Sequence, residues 1–173
     1  MKGVLLRAIL LALLALAGCK TQIESDPTTF DVRRDAAPRL RGQQSIALAN
    51  AYSGPAIVVV ARAPGNEARA DMREFTNTAI GMLERRMKED GIAIDAAASK
   101  RVTLRVKDAR VLGDGFAALS TVTMEADLGD GSRSVLRINN NSTTPRRALD
   151  GALVRGVTQL LNDKQFLAYV NGP

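Results

Sequence analysis

Hydrophobic and polar positions in this chain change period several times, and each change marks an element. From Ser45 onward, Ile46, Leu48, Asn50 and Tyr52 alternate with small neighbours, which predicts a strand with one packed face. Ser53-Gly54-Pro55 interrupts it. The run Ala56-Ile57-Val58-Val59-Val60-Ala61 is apolar on both faces, which suits a strand inside a sheet, and Ala63-Pro64-Gly65-Asn66 ends it. The period then becomes helical: Met72, Phe75, Ala79, Met82, Leu83 and Met87 form a stripe, with Glu74, Asn77, Glu84, Arg85 and Lys88 off it. Asp71 can cap this helix, with Glu74 placed as in a capping box. Gly91 is a candidate left-handed stop and Ile92 the apolar contact beyond it. The methionines in the stripe read as core rather than as a pliable binding groove.

Three alternating segments follow. Val102, Leu104 and Val106 alternate with Thr103, Arg105 and Lys107. After a turn at Gly113-Asp114-Gly115, Val122, Met124, Ala126 and Leu128 alternate with Thr121, Thr123, Glu125 and Asp127. Gly129-Asp130-Gly131 makes a second turn containing the hairpin dipeptide Asp130-Gly131. Leu136 and Ile138 then alternate with Val135, Arg137 and Asn139, completing an antiparallel meander with one apolar and one polar face. A last long helix begins with Thr144 as cap and Pro145 in its first turn, and buries Leu149, Ala152, Leu153, Val157, Leu160 and Leu161. Gly151 and Gly156 weaken it, which points to close packing. Asn162-Asp163 ends it and caps a short terminal helix, from which Phe166, Leu167 and Tyr169 pack back. The order β(β)-α-β-β-β-α predicts an α+β two-layer sandwich, a four- or five-stranded mainly antiparallel sheet with two helices on one face.

The domain expected over 45–173 is preceded by two segments of different character. Residues 19–44 are polar and aperiodic, contain Pro27 and Pro38, and read as a flexible tether averaging roughly 25–30 Å end to end. Arg39 and Arg41 near its end suit a segment that orders on a partner, but a solvated linker is the simpler reading. Residues 1–18 have a basic start (Lys2, Arg7) and an uncharged apolar run from Ala8 to Leu16, shorter than the roughly 20 residues of a membrane span and suited to an export signal. Leu16-Ala17-Gly18-Cys19 resembles the lipobox of bacterial lipoproteins. The alternative is an ordinary secretory signal with an unrelated cysteine, but Cys19 is the only cysteine and stands at the cleavage point. The resemblance implies a diacylglycerol and an N-acyl chain on Cys19 and no other cofactor. Two or more acyl chains anchor stably without spanning the bilayer. By resemblance to Gram-negative sorting, Lys20 after the cysteine implies the outer membrane.

Composition narrows the chemistry. Removing residues 1–18 leaves 24 − 2 = 22 basic against 18 acidic residues, a scattered excess of +4 that points away from nucleic acid. There is no histidine, hence none of the usual proton shuttles or commonest metal ligands. No thiol remains for catalysis or metal binding, and no phosphate-binding glycine loop occurs. Glu125 and Asp127 share a strand face as paired carboxylates, but Arg105, Lys107 and Arg137 share that face too, so cross-strand charge pairing accounts for them. These five residues form the candidate face for a protein partner, with simple solvation as the alternative. Asn140-Asn141-Ser142 and Asn141-Ser142-Thr143 match the glycosylation pattern by chance in a polar loop. Aromatic residues make up 3%, with no tryptophan, too few for a stacking platform.

From about Ser45 to Tyr169 the layout resembles the YajG-like family of small Gram-negative lipoproteins. The segments that carry this are Ser45-Ile46-Ala47-Leu48-Ala49-Asn50-Ala51-Tyr52, Lys88-Glu89-Asp90-Gly91-Ile92, and Gly151-Ala152-Leu153-Val154-Arg155 through Leu160-Leu161-Asn162-Asp163. The order also resembles LptE-like assembly lipoproteins, which act with a β-barrel partner, although no segment matches their lipid-binding residues. Because helices can cover only one face of the meander, the uncovered polar face points to a non-enzymatic accessory lipoprotein of the outer membrane, facing the periplasm and binding an envelope protein, and the YajG-like family has no catalytic role to transfer. The alternative is a lipid- or glycolipid-handling auxiliary with a cavity near Met82, Met87 and Met124.

Overall fold

The computed structural model of the chain describes residues 19–25, 31–63, 66–113 and 117–172. The export signal with Leu16, Ala17 and Gly18, the Pro64-Gly65 break, and Asp114-Gly115 of the first turn lie outside the described residues. The elements run β1 (Cys19–Ile23), a 3-10 turn (Arg34–Ala36), β2 (Ile46–Asn50), β3 (Ile57–Ala63), β4 (Asn66–Asp71), α1 (Met72–Glu89), β5 (Lys100–Gly113), β6 (Ala118–Leu128), β7 (Arg133–Ser142), α2 (Pro145–Leu161) and α3 (Lys164–Asn171). The fold is α+β, as the periodicity predicts. Its strands form two sheets, one ordered β2-β5-β6-β7 and one ordered β1-β4-β3.

The four-stranded sheet contains the predicted meander, with β5, β6 and β7 antiparallel. β2 lies parallel to β5, because α1 intervenes between them as the crossover that parallel neighbours require. α1 and α2 bury their stripes against one face: Met72, Phe75, Ala79, Met82, Leu83 and Met87 are at most 1% exposed, and so are Leu149, Ala152, Leu153, Val157, Leu160 and Leu161. The predicted ends hold. Asp71 accepts from the amides of Arg73 and Glu74, Thr144 from that of Arg147, and Asp163 from that of Phe166. Gly91 is left-handed at φ 90°, and the Ile92 amide returns to the Met87 carbonyl. In α2, a Cβ on Gly156 would lie 2.8 Å from Met124 Cε, so the glycine does permit close packing.

Three expectations need correction. The run at 56–61 is not an interior strand: β3 is the edge of the smaller sheet, and Ile57 is 49% exposed. Its partner β4, Asn66-Glu67-Ala68-Arg69-Ala70-Asp71, carries only alanines on its inner positions and gives no apolar period. The meander is also longer than predicted. Lys107 is an extra residue between the pairs Val106↔Met124 and Asp108↔Thr123, a β-bulge. Before it, Val102, Leu104 and Val106 face the core; after it, Ala109 and Val111 do.

The third correction concerns residues 19–44, which are not a free tether where they are described. β1 pairs parallel with β4, Cys19 opposite Asn66 and Ile23 opposite Ala70. Val32, Ala37 and Leu40 are buried. Arg86, on the buried stripe of α1, donates to the carbonyls of Arg34, Ala37 and Pro38 and pairs with Asp90 at 3.3 Å. Asp90 also accepts from the Leu40 amide at 2.9 Å. The Arg41 amide and Asn162 Nδ2 fasten the same segment to the C-terminal helices through Asn171 and the Ala36 carbonyl.

Candidate functional site

The polar face predicted from the sequence is brought together by the register of the meander. Arg105 lies opposite Glu125, Thr103 opposite Asp127, and Asp127 opposite Arg133. Arg105 Nε donates to Glu125 Oε2 at 2.7 Å, and Lys107 Nζ donates to Glu125 Oε1 at 2.8 Å. Arg105 also approaches Asp127 at 4.0 Å, and Arg133 pairs with the other oxygen of Asp127. The Glu125 side chain is 4% exposed, against 28% for Arg105 and 63% for Lys107. The Lys107 hydrogen bond, helped by Arg105 and opposed by burial, holds the Glu125 carboxyl below the usual carboxylate range. Arg137, exposed opposite Thr123, stays outside this chain of ion pairs.

This arrangement satisfies itself. Both oxygens of Glu125 are engaged, and its pKa moves the wrong way for a general acid, which needs a raised value to carry a proton near neutral pH. Four of the five candidate partner residues therefore serve sheet pairing. Among the described residues no group of three His, Cys, Asp or Glu could hold a metal ion. Nor does the core open around the methionines: Met82, Met87 and Met124 are each 0% exposed within one continuous apolar cluster.

Sequence reasoning missed a groove of about 980 Å³ between the two sheets. That volume lies at the upper end of the roughly 300–1,000 Å³ typical of small-molecule sites. Its floor and walls include Val58, Val60, Ala68, Met72, Ala109 and Val111, and its rim carries Arg62, Lys107, Asp108 and Arg110. The bulge positions it: by shifting phase, Lys107 allows β5 to run on to Gly113 with Ala109 and Val111 turned inward. Asn66, the register partner of Cys19, also lines the groove, so β1 starts beside it. At the end of the groove the hairpin exposes Leu112, which lines it, and its cross-strand partner Leu119, at 70% and 47%. The signal that could have revealed all this is the adjacent polar pair Lys107-Asp108, which breaks alternation without a glycine or proline and so marks a bulge.

No protein-family model matches the chain, and no curated protein matches its sequence.

Proposed function

We propose that this chain is a lipid-anchored accessory lipoprotein of the bacterial outer membrane, facing the periplasm, non-enzymatic, and docking a protein partner in the groove between its two sheets. The observation that carries this reading is the pairing of Cys19 with Asn66 on the groove wall, which would put the lipid attachment point and the groove at one end of the domain. With β1 starting at the cysteine itself, no long spacer separates acyl chains from fold, and the groove would open near the membrane surface. The order of strands and helices that resembles YajG-like lipoproteins agrees with this. The self-neutralised face around Glu125 and its lowered pKa support a non-catalytic role.

Labelling of cells with a radioactive fatty acid, followed by membrane fractionation and crosslinking of the full-length chain, tests the proposal. Label on the wild type but not on Cys19→Ala, with an envelope protein crosslinked through the groove, supports it. A wild-type chain that takes up no label and fractionates as soluble protein sinks it. The apolar floor of the groove favours one second reading, a lipid-handling auxiliary. Native mass spectrometry showing a non-covalent lipid released by Ala68→Phe would favour that reading over the first.

A further inference from the structure

The two sheets come out at a common end of the domain. Just before β3 the Ala56 carbonyl accepts the Met72 amide at 2.9 Å, and one turn into α1 the Thr76 hydroxyl accepts the Val106 amide at 2.9 Å. The start of β3 and the end of β4 are thereby held beside Val106. From there Val58 to Arg62 and Lys107 to Gly113 line one groove, so β3 and β5 run the same way for roughly 20 Å. Their far ends lie together. The smaller sheet ends there in the register row Ala63, Asn66 and Cys19, and the larger one in the row Gly113, Ala118 and Ser142.

Leu112 and Leu119 stand at that end, opposite one another and 70% and 47% exposed, while their neighbours Val111, Ala118 and Ser120 are buried. Ser120 donates to the Ala148 carbonyl of α2, so the two leucines occupy the sheet face turned away from that helix. Scattered exposed leucines are ordinary, but these two adjoin. The ions beside them are spent on one another: Arg110 pairs with Asp108 at 3.2 Å, and Arg62 with Glu67 at 3.6 Å.

We infer that this end of the domain rests on the lipid bilayer, with Leu112 and Leu119 dipping to the boundary between head groups and acyl chains. This rests on the lipid-anchored reading above and specifies which surface faces the membrane. β1 begins at Cys19, so acyl chains on that residue would enter the bilayer at the end that carries the two leucines. Burying one leucine shifts an equilibrium by about tenfold or more. Two of them recruit a free protein weakly, but attachment makes the contact intramolecular, and the pair then fixes the orientation of the domain. With the neighbouring ions already paired, the contact is apolar and needs no anionic head group.

The chain has no tryptophan, so Leu112→Trp and Leu119→Trp each supply a single reporter at an exposed position. Tryptophan favours interfaces wherever it is placed, so the control is Val135→Trp. Val135 is 59% exposed and lies opposite Glu125, roughly 20 Å along β6 from Leu119. Each full-length variant is purified from bacterial membranes, checked for acylation by intact mass, and placed in nanodiscs of phosphatidylcholine with plain or brominated chains. The expected result is blue-shifted emission at 112 and 119, with a loss to brominated lipid several-fold greater than at 135. Leu119→Ser, which removes half of the contact, is expected to restore emission at 112. An acylated protein quenched no more at 112 and 119 than at 135 overturns the inference and leaves the anchor standing. Emission that is blue-shifted but unquenched overturns it in favour of a protein, a second copy included, covering the leucines. Unchanged quenching at 112 with Leu119→Ser also overturns it, because the anchor alone would then hold that end down. A chain without acyl mass defeats the anchored reading and this one with it, so the two failures are distinct.

Discussion

Replacing Arg86 with methionine removes the guanidinium that fastens residues 31–44 to the domain while keeping the apolar stem. In the wild type, Arg86 and Asp90 have side chains 4% and 8% exposed. Arg86 holds three carbonyls of the segment at 3.3 Å each, and Asp90 holds the Leu40 amide. The variant leaves Asp90 buried without its counterion, and removing one member of such a pair costs about 3–5 kcal/mol. That is a large part of the roughly 5–15 kcal/mol by which a domain is stable. With a urea dependence of about 2 kcal/mol per molar, the unfolding midpoint falls by roughly 1.5–2.5 M. If the segment instead detaches alone, the global midpoint moves less, but trypsin gains access to Arg39 and Arg41, which flank buried Leu40. Urea titration and timed trypsin digestion of the same preparation separate these routes. A midpoint shifted by less than about 0.3 M together with unchanged cleavage at Arg39 and Arg41 would refute the reasoning, and the segment would then be the loose tether its composition suggests.

Three further substitutions probe the sheet and α2. Glu125→Gln is expected to lower stability by roughly 1–2 kcal/mol at neutral pH, between the values for exposed ion pairs and for hydrogen bonds to charged groups. Because the folded pKa of Glu125 lies below its ordinary 4.5, chiefly through Lys107, the carboxylate's contribution is complete above that value. It fades as pH falls through the lowered folded value. Urea midpoints of the two proteins should therefore converge in acid, and a constant gap at every pH would contradict the assignment. Gly151→Ala places a Cβ 2.4 Å from Asn140 Nδ2, which donates to the Ala148 carbonyl at 3.0 Å, and is expected to cost roughly 1–3 kcal/mol by thermal or urea unfolding. Gly156→Ala meets the flexible end of Met124 instead, and the gain in helix propensity of about 1 kcal/mol offsets much of that clash.

The helices were legible because their burial repeats. Every stripe position read from the periodicity of α1 is buried, and the caps at Asp71, Thr144 and Asp163 act where short polar side chains precede the apolar run. Residues 31–44 were not legible. Val32, Ala37 and Leu40 are single apolar residues in polar surroundings, and three isolated anchors make no period. Their docking site was nevertheless written into α1. Arg86 falls on the buried stripe, three and four residues after Leu83 and Met82, with Asp90 four residues beyond. A cation there requires oxygen acceptors brought by another segment.

The groove depends on the same kind of departure from period. Strict alternation from Val102 ends at Lys107, and a reading that demands alternation stops the strand there. The chain instead inserts Lys107 as a bulge, and the residues facing the core change from even to odd numbers, so that Ala109 and Val111 are buried while Arg110 and Leu112 point outward. The cost is one unpaired position in the ladder, and Lys107 recovers part of it by donating to Glu125 from the bulge. Beyond it, β5 continues past the last residue that β2 covers, leaving among the described residues an open edge with an inward apolar row. One inserted residue thus serves both features, adding Lys107 to the charged cluster that the register of the meander assembles and turning β5 toward the groove. The Lys107–Glu125 pair ties the bulge to β6, and the strand beyond it supplies the second wall of the groove.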